Sequence, residues 1–233
     1  MKRKIFLALI FLFFAGRGKA DLHFVELQSW ENDSGVKKIK REFWLKKNLL
    51  RIDRKDSSLT YLYNLHNNSL VILDRKKNKF AFFDWESLRR KLSEVEREKI
   101  QLLKKEKKIS PKKSWLVDPF GLEPLFYCPG NRFEISPGKS PGKYLIHCQS
   151  QLWAEVWIEE NFPSAEEWSY YLSNLRFLNL SRYRLFYLLP GFPEKITGKK
   201  EKVSYQYQEI SFQPISLEIF LIPESAQPDL ERF

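Results

Sequence analysis

The sequence has few side chains that bind transition metals, since it contains only three histidines and two cysteines. His23, His66 and His147 lie far apart, and none stands in an H-x-H or H-E-x-x-H spacing. A zinc site normally needs three or four ligands. We therefore expect no metal centre, and nothing in the sequence indicates a cofactor.

The sequence also lacks a convincing catalytic motif. Gly138-Lys139-Ser140-Pro141-Gly142 matches G-x-S-x-G, but that motif needs a strand before its serine and a helix after it. Here prolines and glycines surround Ser140, and a strand-like segment follows. A phosphate-binding loop is excluded because Phe133 stands where its first glycine is required. No nucleophile, base and orienting group can be named together, so we expect no enzyme.

The hydrophobic run near the N-terminus is short for a membrane span. Residues 5–16 form 12 residues without a charge, whereas a spanning helix needs about 20 apolar residues. Basic residues precede the run, and Gly18 and Ala20 are small residues at the −3 and −1 positions of a signal-peptidase site. We therefore predict a Sec-type signal peptide over residues 1–20, cleaved near Ala20, and a periplasmic protein. An uncleaved anchor is the alternative, but basic residues also stand directly behind the run.

Removal of the signal peptide changes the charge balance of the protein. The segment carries five positive charges and no negative charge, so the net charge falls from +11 to +6. Most lysines also alternate with acidic residues, a pattern typical of a solvated surface. We therefore expect no nucleic-acid partner, while peripheral contact with an anionic membrane remains compatible with the charge.

The two cysteines suggest a disulfide, because an even number is typical of exported proteins. A turn-rich segment over residues 136–142 separates two strand-like stretches, and Cys128 and Cys148 are symmetric about Gly138. An antiparallel hairpin centred there would place their Cα atoms about 4.5–5.5 Å apart, within the range that a disulfide tolerates. Two free thiols are the alternative, which would fit a reducing compartment and contradict the signal peptide.

Hydrophobic periodicity divides the mature chain into strands and two helices. Alternating segments rich in aromatic and branched residues predict strands at residues 39–45, 49–52, 59–65, 69–74, 79–83, 132–135, 143–147, 151–159, 202–212 and 215–221. An apolar stripe behind the N-cap candidate Asp84 predicts a charged helix over residues 84–107. A capping box of Ser164 and Glu167 predicts a second helix to about residue 180. Residues 104–113 are lysine-rich and are interpreted as a linker.

Aromatic residues are the main positive feature, at 15% of the chain. Many stand at alternating strand positions, which favours either an ordinary core between sheet and helices or an apolar groove that holds an acyl chain. Trp153 and Trp157 are expected on one face of a strand, and Trp44 on the charged face of its own. The candidate lining residues of such a groove are Trp44, Tyr61, Tyr63, Phe82, Trp153 and Trp157.

The order of several short motifs resembles the bacterial outer-membrane lipoprotein carrier superfamily, especially its uncharacterised exported domains. The motifs are Phe43-Trp44-Leu45 with Leu49-Leu50-Arg51-Ile52-Asp53, Leu70-Val71-Ile72-Leu73-Asp74, Lys79-Phe80-Ala81-Phe82-Phe83, Gly191-Phe192-Pro193 and Phe220-Leu221-Ile222-Pro223. The resemblance implies an α+β fold, in which a strongly curved antiparallel sheet forms an open half-barrel with helices on or in its concave face. The resemblance covers roughly residues 22–224, and we assign one domain to residues 21–224 and a C-terminal tail to residues 225–233. The chain departs from these carriers in the predicted helical insertion at about 84–107 and in its central hairpin with two cysteines.

The same resemblance implies a function without catalysis. In such carriers the concave face takes acyl chains, so we expect a periplasmic protein that binds a lipid, a lipoprotein acyl chain or another hydrophobic ligand. The partners would then be a hydrophobic ligand or a lipidated protein. The alternative is a cell-envelope scaffold or protein-interaction module. Its cavity would be filled by its own side chains, and the helix at 84–107 would contact an envelope partner.

Overall fold

The chain folds into one large open sheet. The computed structural model describes residues 21–32, 35–67, 69–84, 133–159, 188–199 and 203–229. Its strands are β1 (Leu22–Asn32), β2 (Gly35–Lys46), β3 (Leu49–Arg54), β4 (Leu59–Asn64), β5 (Ser69–Asp74), β6 (Lys79–Asp84), β7 (Phe133–Pro137), β8 (Lys143–Cys148), β9 (Gln151–Ile158), β10 (Pro193–Gly198), β11 (Val203–Ser211) and β12 (Gln227–Pro228). These 12 strands lie in the order β12-β6-β5-β4-β3-β2-β1-β11-β10-β9-β8-β7. All pairings are antiparallel except the short one between β12 and β6.

Alternation of side chains accounts for most of these strands. In β2, Arg41, Phe43 and Leu45 are at most 2% exposed, while Glu42 and Trp44 between them point to the other face and are partly buried. Successive residues of a strand point to opposite faces, so an apolar residue at every second position gives the strand one buried face. The strands predicted around residues 39–45, 49–52, 59–65, 69–74 and 79–83 are confirmed as β2 to β6.

The predicted α+β class is wrong, because the described residues are almost entirely β-structure. Their one helix is a single 3-10 turn, Leu217–Phe220. Asp84, predicted as a helix N-cap, is the last residue of β6 and pairs with Ser69. The remainder of the predicted helix at 84–107, the linker at 104–113 and the helix at 164–180 lie outside the described residues. The architecture that the structure supports is an open, mostly antiparallel sheet.

Two strands escaped the sequence analysis. In β1, Glu26 and Gln28 occupy positions where the alternation calls for apolar residues, so the strand pattern is hidden. In β10, the two end residues Pro193 and Gly198 are typical of turns. Ile196 is the one large apolar residue that is fully buried in this strand. Both strands nevertheless join the centre of the sheet, because β1 links β2 to β11 and β10 links β11 to β9.

The strand predicted at residues 215–221 is wrong. The segment forms the 3-10 turn, whose N-cap Ser216 accepts a hydrogen bond from the backbone N–H of Glu218. The carboxylate of Asp21 accepts a hydrogen bond from the backbone N–H of Ile215 at 2.7 Å. The side chains of Ser216 and Asp21 thus accept hydrogen bonds from backbone N–H groups that a strand would donate to its neighbour. The segment therefore does not pair with the sheet, although its apolar residues alternate.

The segment after β11 returns to the sheet at its far edge. The guanidinium of Arg51 on β3 donates a hydrogen bond to the carbonyl of Ile219, and β12 then pairs in parallel with β6. Residues 227–228, assigned to a C-terminal tail by the sequence analysis, are therefore part of the sheet. The pairing covers the beginning of the outer edge of β6, at Lys79 and Phe80, where backbone groups would otherwise be open.

The hairpin of β7 and β8 has a different register from the predicted one. Phe133, not Cys128, lies opposite Cys148. The turn is built by Pro141 and Gly142, and the backbone N–H of Lys143 donates to the carbonyl of Ser140 at 3.2 Å. Gly142 has a φ of 69°, as the third residue of a type II turn requires. The symmetric, face-to-face arrangement of the two cysteines is therefore wrong.

Replacement of Gly142 by alanine should destabilise this hairpin. An L-residue in the left-handed region costs about 1–2 kcal/mol, and we expect a loss of that size in the free energy of unfolding, measured by urea denaturation. Lys139→Ala in the same loop is the matched control, because Lys139 is exposed and has no positive φ. An unchanged urea midpoint for Gly142→Ala would contradict the turn assignment.

The predicted signal peptide, residues 1–20, lies outside the described residues. Within the described ranges, no helix has both the length and the hydrophobicity that a membrane span requires. The export prediction therefore stays a prediction from the sequence.

Candidate functional site

One face of the sheet carries a continuous apolar surface, here called the core face. It runs from Phe83 on β6 to Ile146 on β8, and most of its large side chains are buried. At its centre Phe24 stacks on Phe43, with 4.5 Å between the ring centroids, and meets Phe192 edge-on at 5.2 Å. Phe192 in turn contacts Tyr207 at 5.4 Å. The core face is thus the largest apolar surface among the described residues.

A charged network lies within the core face. Arg41 and Glu26 are both 0% exposed, and their side chains are joined by a hydrogen bond of 2.7 Å from Nη1 to Oε1. Arg41 Nη2 also donates to Gln28 Oε1 at 2.8 Å, and Gln28 Nε2 donates to Tyr205 Oη at 3.2 Å. The partners come from three adjacent strands, because β1 lies between β2 and β11. A buried charge is costly unless it is paired and hydrogen-bonded, so these residues depend on one another.

This network was not predicted from the sequence. Arg41 lies in the strand predicted at residues 39–45, but Glu26 and Gln28 belong to a strand that was not predicted. One signal for this strand was present in the sequence. Glu26 and Gln28 continue the series of every second residue that begins with the apolar residues Leu22 and Phe24. Polar residues at core positions of a strand indicate a buried polar network when the neighbouring strand places an opposite charge beside them.

Two of the six predicted groove residues lie on the core face. Tyr61 and Tyr63 are 1% and 4% exposed and pair across the strands with Ile72 and Leu70. They are part of the packed core in this structure.

Three other predicted groove residues lie on the second face, the side of the sheet opposite to the core face. Trp44 contacts the ring of His23 and the guanidinium of Arg51, each at 5.3 Å from ring centroid. Phe82 is 63% exposed. Trp157 lies between two ammonium groups, those of Lys143 at 5.0 Å and Lys195 at 5.3 Å. The structure therefore does not bring the six aromatic side chains to one groove.

Trp153 has different surroundings from Trp157, although both were expected on one strand face. A bulge interrupts the pairing of β8 and β9 beside it. Trp153 is 9% exposed and packs with Cys148 and Phe133. The bulge shifts the alternation by one residue, and this separates the two tryptophans. Cys148 is 3% exposed and is not a free thiol, whereas Cys128 lies outside the described residues, so their pairing stays a prediction.

The second face carries ion pairs rather than an apolar core at its centre. Glu42 contacts the ring nitrogen Nε2 of His23 at 3.0 Å and the ammonium of Lys55 at 2.6 Å. Burial raises the pKa of Glu42, but the hydrogen bonds and charges of Lys55 and His23 outweigh it, so the pKa lies below its ordinary value. Glu155 is held in the same way by Lys143 and Lys199, which outweigh burial and lower its pKa.

The lowered pKa of Glu42 predicts a pH dependence of stability. A carboxylate whose pKa is depressed by folding stabilises the protein above its unfolded pKa, and the stabilisation is lost as the pH falls through the folded pKa. We therefore expect Glu42→Gln to be less stable than the wild type at neutral pH by up to about 1 kcal/mol. The difference should shrink between about pH 5 and pH 3. Urea unfolding at several pH values measures it, with Glu134→Gln at an exposed position as the control. A difference independent of pH would contradict the assignment.

A groove of about 500 Å³ opens on the second face, over the same strands whose core face carries the charged network. It is lined by neighbouring residues of β1, β2 and β11 together with Lys55 and Asp56 from the β3–β4 turn. Its polar lining is mostly composed of hydrogen-bond donors, including Lys38, Lys40 and two serines. Among the described residues, no group of three histidine, cysteine or acidic side chains is close enough to hold a metal ion.

Comparisons with known proteins add little. No family model matches the chain, and no curated protein sequence matches it. Two solved structures of PNGF-II, in C2 and P21 crystals, are similar with TM-scores of 0.38 and 0.34 at 8% and 9% sequence identity. The alignments cover 90% and 87% of this chain but 31% and 30% of PNGF-II, so the chain spans about a third of the proteins it matches. So weak a similarity gives no information about function.

Proposed function

We propose that the protein is a non-catalytic periplasmic protein that binds a hydrophobic ligand, such as a lipid or a lipoprotein acyl chain, at the core face. The observation that carries the proposal is the continuous aromatic surface across the sheet, centred on Phe24, Phe43 and Tyr207. Burial of apolar ligand surface is the main favourable term in such binding. The open sheet is compatible with a half-barrel whose concave side is the core face, as the resemblance to lipoprotein carriers implies.

The edge of the core face offers a place for a ligand to enter. Phe133, Ile135 and Tyr144 on β7 and β8 are only partly buried, although they pack against the core cluster. The centre of the face is closed by contrast, since Phe24 and Phe43 are at most 1% exposed. A ligand would therefore begin its contacts at the β7–β8 edge and displace side chains as it moves inward.

The export predicted from the sequence also supports this proposal. The predicted signal peptide at residues 1–20 would bring the protein to a compartment where acyl chains require carriers. The predicted bridge between Cys128 and Cys148 fits the same compartment. In the observed register Phe133 lies opposite Cys148.

Titration with a dansyl-labelled fatty acid tests the proposal. We expect saturable fluorescence enhancement by the mature protein. Ile135→Asp should weaken binding by about tenfold or more, because a charge at an apolar contact must be desolvated when the ligand binds. Phe82→Asp, at an exposed site on the second face, is the matched control and should bind as the wild type does. No saturable enhancement with the wild type, or equal weakening by both variants, would contradict it.

A self-filled scaffold is the second candidate, and the packing at the centre of the core face favours it. Tyr61, Tyr63 and Phe192 are at most 4% exposed, because other side chains of the protein pack around them. In that case residues 85–107 would contact an envelope partner. Deleting them should remove a co-purified partner, and the protein should take up no fatty acid before or after the deletion, because its own side chains fill the cavity.

A further inference from the structure

The second face contains a feature that hydrophobic binding at the core face does not use. Six lining residues of the 500 Å³ groove stand in two rows across three neighbouring strands. Lys38, Ser29 and Ser204 form one row, and Lys40, Leu27 and Gln206 form the other. Residues that pair in this way share one face of a sheet, so their side chains converge on the groove.

The charges of the groove do not cancel. Lys38 makes no ion pair with the described residues, and Lys40 is 3.8 Å from Glu209 with both side chains about half exposed. A long and exposed pair of this kind contributes little, so the charge of Lys40 remains available. Asp56, the acidic residue of the lining, forms an ion pair with Arg54, with 2.5 Å between Nη2 and Oδ2. The groove is therefore electropositive.

The neutral lining groups are also suited to an anion. The hydroxyls of Ser29 and Ser204 are 2.7 Å apart, so one donates to the other and the second hydroxyl keeps its hydrogen for a further acceptor. The amide of Gln206 adds donors. A phosphoryl group has several oxygens that accept hydrogen bonds from ammonium and hydroxyl groups together, and charge-assisted bonds of this type are the strong ones.

We propose that this groove binds a phosphoryl group, which comes from a phospholipid headgroup or from free phosphate. Val36 lies on the same strand face as Lys38 and Lys40 and is 63% exposed, so an apolar side chain stands beside the cationic groove. An apolar side chain next to a cationic groove favours the headgroup of an anionic membrane lipid. Val36 would contact the upper part of the acyl chains while the lysines bind the phosphate. The site lies on the opposite face from the proposed ligand surface and does not depend on it.

Two titrations of the full mature protein distinguish the sources. The first is calorimetry with sodium phosphate against sodium chloride at equal ionic strength, and the second is sedimentation with phosphatidylglycerol vesicles. Binding of both indicates a site open to the free anion, whereas binding of vesicles alone indicates a lipid headgroup. Lys38→Gln with Lys40→Gln should weaken either interaction by about tenfold or more, because the loss of even one hydrogen bond to a charged group has about that effect.

The control removes the same charge elsewhere. Lys76→Gln with Lys77→Gln changes two exposed lysines in the β5–β6 turn and should leave binding unchanged. Circular dichroism and the urea midpoint establish that both double variants are folded. Lys38→Glu alone is a second test, because Lys38 makes no ion pair among the described residues. Absence of binding to phosphate and to vesicles would overturn the proposal. Equal weakening by the two double variants would also overturn it, since diffuse surface charge would then account for binding.

Discussion

Replacement of Arg41 by methionine is expected to lower the free energy of unfolding by about 3–5 kcal/mol, because it removes the guanidinium that pairs with the buried carboxylate of Glu26. Arg41 and Glu26 are both 0% exposed, so water cannot take over the role of the guanidinium. Gln28 Oε1 also loses its donor, although Gln28 Nε2 still donates to Tyr205. Urea denaturation measures the loss directly.

The double variant Glu26→Leu with Arg41→Met separates the ion pair from the packing. Replacing both members of a buried pair by apolar residues is often neutral or stabilising. We therefore expect the double variant to recover most of the stability that Arg41→Met loses. A single variant within about 1 kcal/mol of the wild type would contradict the description of the pair as fully buried. Equal losses in the single and double variants would show that packing, and not charge, is responsible.

Replacement of Phe24 by alanine is expected to cost about 3–5 kcal/mol, as is typical of a buried phenylalanine. Phe24 is 1% exposed and contacts the rings of Phe43, Phe192 and Tyr207. Its loss removes contacts to both strands beside β1 and to the segment before β10, so the cavity cannot easily collapse. The urea midpoint reports the change.

Phe82→Ala is the control for Phe24→Ala, because it removes the same side chain from the second face. Phe82 is 63% exposed, so we expect a change within about 0.5 kcal/mol. A large loss for Phe82→Ala and a small one for Phe24→Ala would reverse the assignment of the two faces.

Strands formed by short apolar runs next to polar turns could be predicted from the sequence. Residues 69–74 and 79–83 show this best, since they carry branched and aromatic residues on either side of the polar turn at residues 75–78. Prediction failed where a core position holds a polar residue. Glu26 is such a position, because its pairing with Arg41 is visible only when β1 and β2 are placed side by side. The alternation of apolar and polar residues in β1 breaks at Glu26, and its partner Arg41 lies 15 positions further along the chain.

The hairpin register could not be decided from the sequence for a different reason. Pro137-Gly138 and Pro141-Gly142 are both turn signals, and the prediction took the first as the centre. The structure uses Pro141-Gly142, and a Cβ added at Gly138 would lie 3.0 Å from the side chain of Lys143. The two turn signals have the same composition, so composition alone does not distinguish between them.

The candidate groove residues show the same limit. Aromatic composition indicated that apolar surface was present, but the bulge beside Trp153 and the exposed position of Phe82 place those residues in different environments. Which side chains share a face depends on the register and the bulges of a sheet, and one shifted residue changes the face of every residue after it.

Native mass spectrometry of the mature protein, purified without detergent from a bacterial periplasm, tests the proposed function most directly. We expect the mass of the chain beginning at Asp21, together with a second species heavier by the mass of a bound lipid or fatty acid. Solvent extraction should release that molecule for identification, and the Ile135→Asp variant should carry less of it. A single unliganded mass that also fails to take up added fatty acid or phospholipid would contradict hydrophobic binding at the core face.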